Sequence, residues 1–125
     1  NQTKKINSDA FKLPFKSNSC DIVHAALFLH HFNEAQIQIL LKEFLRMAKL
    51  GIIINDLQRS YFALLGIKIL TVLFSKSEMV KNDGPLSVKR GFTKAELVKL
   101  FEDAGIQNFF IKWKWAFRWM VVIRK

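Results

Sequence analysis

One stretch, Asp21–Asp56, limits the choice of fold more than any other. It opens with a largely apolar run, Ile22–Leu29, that stops abruptly at His30-His31. A run of that length, bounded by turn signals, reads as a buried strand of a parallel sheet. Asn33 then stands where a helix N-cap should, with Gln36 at the capping-box position. Ile37, Leu40, Leu41, Phe44, Leu45 and Ala48 recur at helical spacing and form one apolar face, so a helix is expected over Asn33–Met47. Gly51 should end that segment, and Ile52-Ile53-Ile54 should form a short strand closed by Asn55-Asp56. Strand, helix and strand make a β-α-β unit, whose crossover is right-handed. In open α/β sheets, ligands sit beyond the carboxyl ends of the strands. The histidine pair, Asp56 and Arg59 should therefore share a ligand edge. Asp9, in a turn before the Leu13-Pro14-Phe15 elbow, should lie at the end of a further strand near Lys4-Lys5-Ile6.

After Arg59 the rhythm breaks. Ser60–Phe74 is expected as a helix, and its Tyr61–Phe74 window is the most apolar of the chain. Fourteen helical residues span roughly 21 Å, against a hydrocarbon core of about 30 Å. With Lys68 inside it, this helix reads as buried or interfacial rather than membrane-spanning, an insertion above the sheet. Residues 75–90 read as irregular, with Asn82-Asp83-Gly84-Pro85 as a strong turn. Thr93 and Glu96 form a second capping box, and the helix behind them should run to Ala104 and stop at Gly105. Its core face is Leu97, Val98, Phe101 and Ala104. Two strands close the chain: Phe109, Ile111 and Trp113 alternate with Phe110, Lys112 and Lys114, and Met120–Ile123 is apolar throughout. The connection near Trp115–Arg118 lacks the glycine or asparagine that a tight hairpin prefers.

A length of 125 residues suits one domain with one core. The formal charge is +10, from 20 Lys and Arg against 10 Asp and Glu, with the lysines spread along the chain. Such a field attracts anions. Cys20 is the only cysteine, so no internal disulfide forms, which fits a reducing, cytoplasmic setting. The first ten residues have no apolar core and do not form a signal peptide. Adjacent histidines diverge, and no cysteine or carboxylate set surrounds them, so no metal site is expected.

Several motifs together carry a resemblance. They are Asp9-Ala10 with Leu13-Pro14-Phe15, Asp21-Ile22-Val23, Leu29-His30-His31-Phe32, Gly51–Leu57, and Arg90-Gly91-Phe92-Thr93 with Glu96-Leu97. In this order they resemble a class I S-adenosylmethionine-dependent methyltransferase of the small-molecule branch that includes quinone methyltransferases. The resemblance implies an α/β fold: a partial Rossmann-like sheet, mostly parallel, with an antiparallel final strand beside the fifth and helices on both faces. That would make Met120–Ile123 central. It implies S-adenosylmethionine as cofactor, one domain over 1–125, and a substrate-side insertion or lid over 58–90. By the same resemblance, the Asp9 carboxylate accepts from the adenine amine, and the Ala10 N–H donates to a ring nitrogen. Backbone at Ala26 and Leu27 holds the cofactor's ammonium group. His31 and Asp56 are assigned to catalysis, with an imidazole as general base. Arg59 and Arg90 are assigned to a substrate anion.

The family's glycine-rich turn is missing: the five glycines are isolated and no G-x-G occurs. The resemblance therefore covers the C-terminal part of such a domain. The strand that would pair with Asp21–Leu29 is absent, and self-association through that edge is expected. The proline-containing motif of base and amide N-methyltransferases is also missing, since Leu27-Phe28-Leu29-His30 stands in its place. This argues against a nucleic-acid base and leaves methyl transfer to O or C of a small molecule. The alternative is a catalytically inactive basic module binding nucleic acid or an acidic membrane surface. Its contact would be Trp113–Trp119 with Lys112, Lys114 and Arg118.

Overall fold

The computed structural model describes residues 3–59, 61–74 and 91–125, with backbone alone at 61–63 and 74. The elements run β1 (Cys20–Ala26), a single 3-10 turn (Leu29–His31), α1 (Glu34–Met47), β2 (Ala48–Leu57), α2 (Tyr61–Phe74), α3 (Lys94–Asp103), β3 (Phe109–Lys114) and β4 (Arg118–Arg124). The sheet order is β1-β2-β4-β3. β1 and β2 are parallel, while β4 runs antiparallel to both β2 and β3. The last strand is thus inserted beside β2, as the resemblance implied.

Both capping boxes form. The Asn33 side chain accepts from the Gln36 N–H while Gln36 accepts from the Asn33 N–H, and Thr93 and Glu96 do the same. The resulting helices share one face of the sheet. Ala25, Ile52, Ile54, Val121 and Ile123 project from it into a core completed by Ile37, Leu40, Leu41 and Phe44 of α1 and Leu97, Leu100 and Phe101 of α3. The register aligns these positions across strands: Ala25 with Ile54, Ile54 with Val121, Ile52 with Ile123. Each such buried aliphatic side chain contributes about 1.5–3 kcal/mol. Among the described residues, both packed helices lie on this face. The opposite one leaves Ile22 and Phe110 exposed.

Gly51 does not stop α1; it lies inside β2. The helix ends instead with Ala48 in an extended conformation, so the chain enters the strand directly. Position 51 has a different demand. A Cβ there would stand 2.0 Å from the Ile123 carbonyl oxygen, so only glycine lets β4 lie this close to β2. Gly105, at φ +74, is the expected helix stop.

Candidate functional site

The carboxyl ends of β1 and β2 meet around one buried carboxylate. Asp56 is 1% exposed and accepts four hydrogen bonds. Its Oδ2 receives the N–H of Leu29 at 2.7 Å and of Phe28 at 3.2 Å. Its Oδ1 receives its neighbour's Leu57 N–H at 2.8 Å and meets Nδ1 of buried His30 at 2.6 Å. The turn after β1 is therefore fastened to the end of β2 by backbone and side-chain bonds to one residue. Leaving those groups unmet inside the core would cost far more than exposing them to water.

This fastening shapes the turn. β1 ends three residues earlier than the apolar run does, because Leu27 adopts the left-handed region at φ +50. A leucine there is strained. Its N–H is anchored to the Asn55 carbonyl at 2.8 Å. Beside it, Asn55 Oδ1 is buried with no partner among the described residues. The two histidines separate in role. His30 is buried against Asp56, whereas His31 is exposed, its ring stacked on that of His30 with centroids 4.1 Å apart. The residue pair His30–Asp56 is not singled out by spacing; it follows only from the parallel register of β1 and β2.

A second turn is pinned from the side. The Leu13 N–H donates to Glu43 Oε1 at 3.0 Å, and Arg46 donates to the carbonyls of Phe15 (2.7 Å) and Leu13. Glu43 and Arg46 bond each other at 2.6 Å. The Arg46 guanidinium, with help from the Leu13 N–H and against some burial, holds the Glu43 carboxyl below its ordinary range. Phe11 also packs edge-on against Phe32. This bracing carries Asp9 and Ala10 to the sheet edge. Asp9 is exposed, and its Oδ1 closes a turn by accepting the Phe11 N–H at 2.9 Å. Ala10 and Ala26 then line one mainly apolar pocket with Leu13, Val23, His24, Ala25, Phe28 and Phe44.

Of the residues expected at the site, Ala10 and Ala26 share this pocket, Leu27 and His31 flank the segment that Asp56 fastens, and Asp9 is exposed next to Ala10 in the chain. Arg59, just past the end of β2, is ion-paired with Glu96. Burial pushes the Glu96 carboxyl up, but Thr93 and the Arg59 guanidinium outweigh it and hold the group below its usual value. Arg59 is further tied by its N–H to the Phe92 carbonyl at 3.0 Å. A Cβ on Gly91 would meet Leu57–Arg59 backbone at 2.9 Å, which explains the glycine. Arg90 and the Asn82–Pro85 turn lie outside the described residues. Among the described residues, no cluster of side chains has the make-up of a metal site, and no helix is long and apolar enough to cross a membrane.

Residues 1–54 match the family model described as a methyltransferase domain. No curated protein matches the chain by sequence. Solved structures match its fold over nearly its whole length. A SAM-dependent methyltransferase from Aquifex aeolicus is 19% identical, with TM-score 0.66, over 97% of this chain and 54% of its own. One from Methanosarcina mazei is 20% identical, with TM-score 0.60, over 94% and 65%. Magnesium protoporphyrin IX methyltransferase from Synechocystis PCC 6803, solved with bound SAH, is 17% identical, with TM-score 0.53, over 96% and 50%. The chain spans about a third to a half of the first solved chains it matches. The chain thus shares its α/β fold, with a mixed four-stranded sheet, with these methyltransferase structures.

Proposed function

We propose that this chain supplies the adenosine side and the acceptor side of an S-adenosylmethionine-dependent methyltransferase acting on O or C of a small molecule. The observation that carries the reading is the pocket shared by Ala10 and Ala26, with exposed Asp9 one residue before Ala10 in the chain. An apolar slot with an acceptor next to it in the chain suits a flat heteroaromatic ring bearing an amine. Asp9 Oδ1 is used by its own turn, which leaves Oδ2 for that amine, and the Ala10 N–H is the proposed donor to a ring nitrogen. Ala26 and the left-handed Leu27 present backbone carbonyls where an ammonium group would be held, with the orphaned Asn55 Oδ1 close by in the register.

The cofactor, when bound, supplies an electrophilic methyl group; the chain's task is to bind, orient and exclude water. His31, exposed at the edge, is the candidate base for an acidic hydroxyl or carbon of the acceptor. Asp56 is too enclosed to touch substrate, so its proposed part is to fix His30, on which His31 stacks. Arg59, and Arg90 after it in sequence, are proposed to meet an anionic acceptor, with Glu96 holding Arg59 until it does. The segment 58–90, which contains α2, is proposed as the cover on this side.

Calorimetric titration of the 125-residue chain with S-adenosylhomocysteine, beside an Asp9→Ala variant, tests the reading. Micromolar binding weakened by the substitution is expected. A folded chain that binds nothing, both alone and after restoration of a glycine-rich upstream segment, would sink it.

A further inference from the structure

We propose that α2 and the turn between β3 and β4 form one docking surface for an anionic lipid bilayer. The inference is independent of the methyl-transfer reading.

The first support is exposure. Leu65, Ile69, Leu70, Val72 and Leu73 of α2 are each at least half exposed, and Lys68 is the only charged residue in the helix. Trp115 at the β3–β4 turn is 85% exposed, flanked by exposed Trp113 and Phe117. Large apolar surface left in water at two places marks an interaction site.

The second support is connection. Gln58 joins the two features. Its N–H donates to the Phe117 carbonyl at 2.8 Å, and its Oε1 accepts from the Trp113 indole at 2.7 Å. α2 begins three residues later. Helix and turn therefore rise from the same end of the sheet.

The third support is backbone strain. Ala116 and Phe117 both lie in the left-handed region, at φ +64 and +55. Glycine or asparagine would adopt it more cheaply. Alanine and phenylalanine stand there instead, next to the exposed Trp115, and strained backbone of this kind clusters at working sites.

Charge selects the occupant. Lys112, Lys114 and Arg118 surround Trp115, and no acidic residue occurs from Ala104 to Lys125. Tryptophan with cations beside exposed aliphatics is the composition that settles at a headgroup boundary. Nucleic acid would use the cations and indoles but gain nothing from five exposed aliphatic side chains. A second copy would bring the same cations against these, in a chain of charge +10. An anionic bilayer satisfies the aliphatics, the indoles and the cations together.

The test is co-sedimentation of the chain with phosphatidylcholine vesicles, with and without about a third phosphatidylglycerol. Binding at least about tenfold tighter to the anionic vesicles, and weakened by salt, is expected. Trp115→Ala should lose on the order of tenfold, and the pair Ile69→Asp with Leu73→Asp should abolish binding. All three side chains are exposed, so circular dichroism should show an unchanged fold. The proposal is overturned by no binding to either vesicle, or by binding that these substitutions leave intact. It is equally overturned if sedimentation equilibrium shows a dimer that Ile69→Asp and Leu73→Asp dissolve, since the face would then belong to a second copy. Titration with S-adenosylhomocysteine needs no vesicle, so either reading can fail without the other.

Discussion

Two turns at the same end of the sheet are built in opposite ways. The turn after β1 is closed inward: Phe28, Leu29 and His30 all bond Asp56 in the core, and the left-handed residue, Leu27, is locked by Asn55. The turn between β3 and β4 is opened outward, with two left-handed residues and Trp115 in water. Both hold non-glycine residues in an unfavourable conformation. The first is restrained by a buried carboxylate and keeps a fixed geometry, as a site that must place a ligand requires. The second is restrained mainly by its strands and offers area rather than geometry, as a docking surface requires.

The largest effect is expected from removing the restraint on the first turn. Asp56→Ala leaves three backbone N–H groups and the His30 imidazole without their acceptor. We predict a loss of about 3–5 kcal/mol in denaturant unfolding. A loss below about 1 kcal/mol would mean that the turn is held by packing, and the contrast between the turns would disappear.

The next effect separates the two histidines. If His31 is the base and His30 its support, His31→Ala should cost on the order of a hundredfold in methyl transfer with little change in stability. His30→Ala should cost stability first, because it leaves Asp56 Oδ1 with one partner fewer. A phenolic acceptor, once a screen finds one, supplies the assay. Equal stability losses for both would break the assignment.

The third effect concerns the braced elbow. The Glu43 carboxyl titrates below its unfolded value, so its contribution is complete above that value, about 4.3. It is withdrawn as pH falls through the lowered folded value. Glu43 and Arg46 brace residues 11–18 rather than the core. Amide exchange at Leu13 should therefore accelerate in that acid range before exchange at Ile54 does. If both rise together, the elbow is part of the core and not a separately fastened turn.

How much of this was legible differs by region, for physical reasons. Asn33, Gln36, Thr93 and Glu96 announced two helix starts because a capping box is a local pattern. Met120–Ile123 announced a strand because it is apolar throughout, and its place between two other strands matches what the resemblance implied, although its burial alternates along the sheet's two faces. Gly51 misled: a lone glycine after a helical pattern looks like a stop, and only the register shows that β4 needs the space. The His30–Asp56 contact spans 26 residues and depends on which strand end meets which, so no spacing rule reaches it. The strain at Ala116 and Phe117 was visible only as a missing turn signal; its meaning required the angles.

The smallest effect sharpens the comparison most, because it changes no contact. Ala116→Gly removes one Cβ from a left-handed position and should stabilise the chain by about 1 kcal/mol, read as a shift in unfolding midpoint. Glycine also enlarges the freedom of the unfolded chain, so the observed gain should fall somewhat short of the full relief. Leu27→Gly makes the same change in the other turn, with a different expectation. Leu27 is 40% exposed, but its N–H is held by the Asn55 carbonyl, which fixes its conformation from outside the turn. A gain at 116 with none at 27 would mean that strain after β1 is compensated by the surrounding structure, while strain at the β3–β4 turn is not. Uncompensated strain beside exposed aromatic residues is what a working surface would show, and the vesicle experiment asks what that work is.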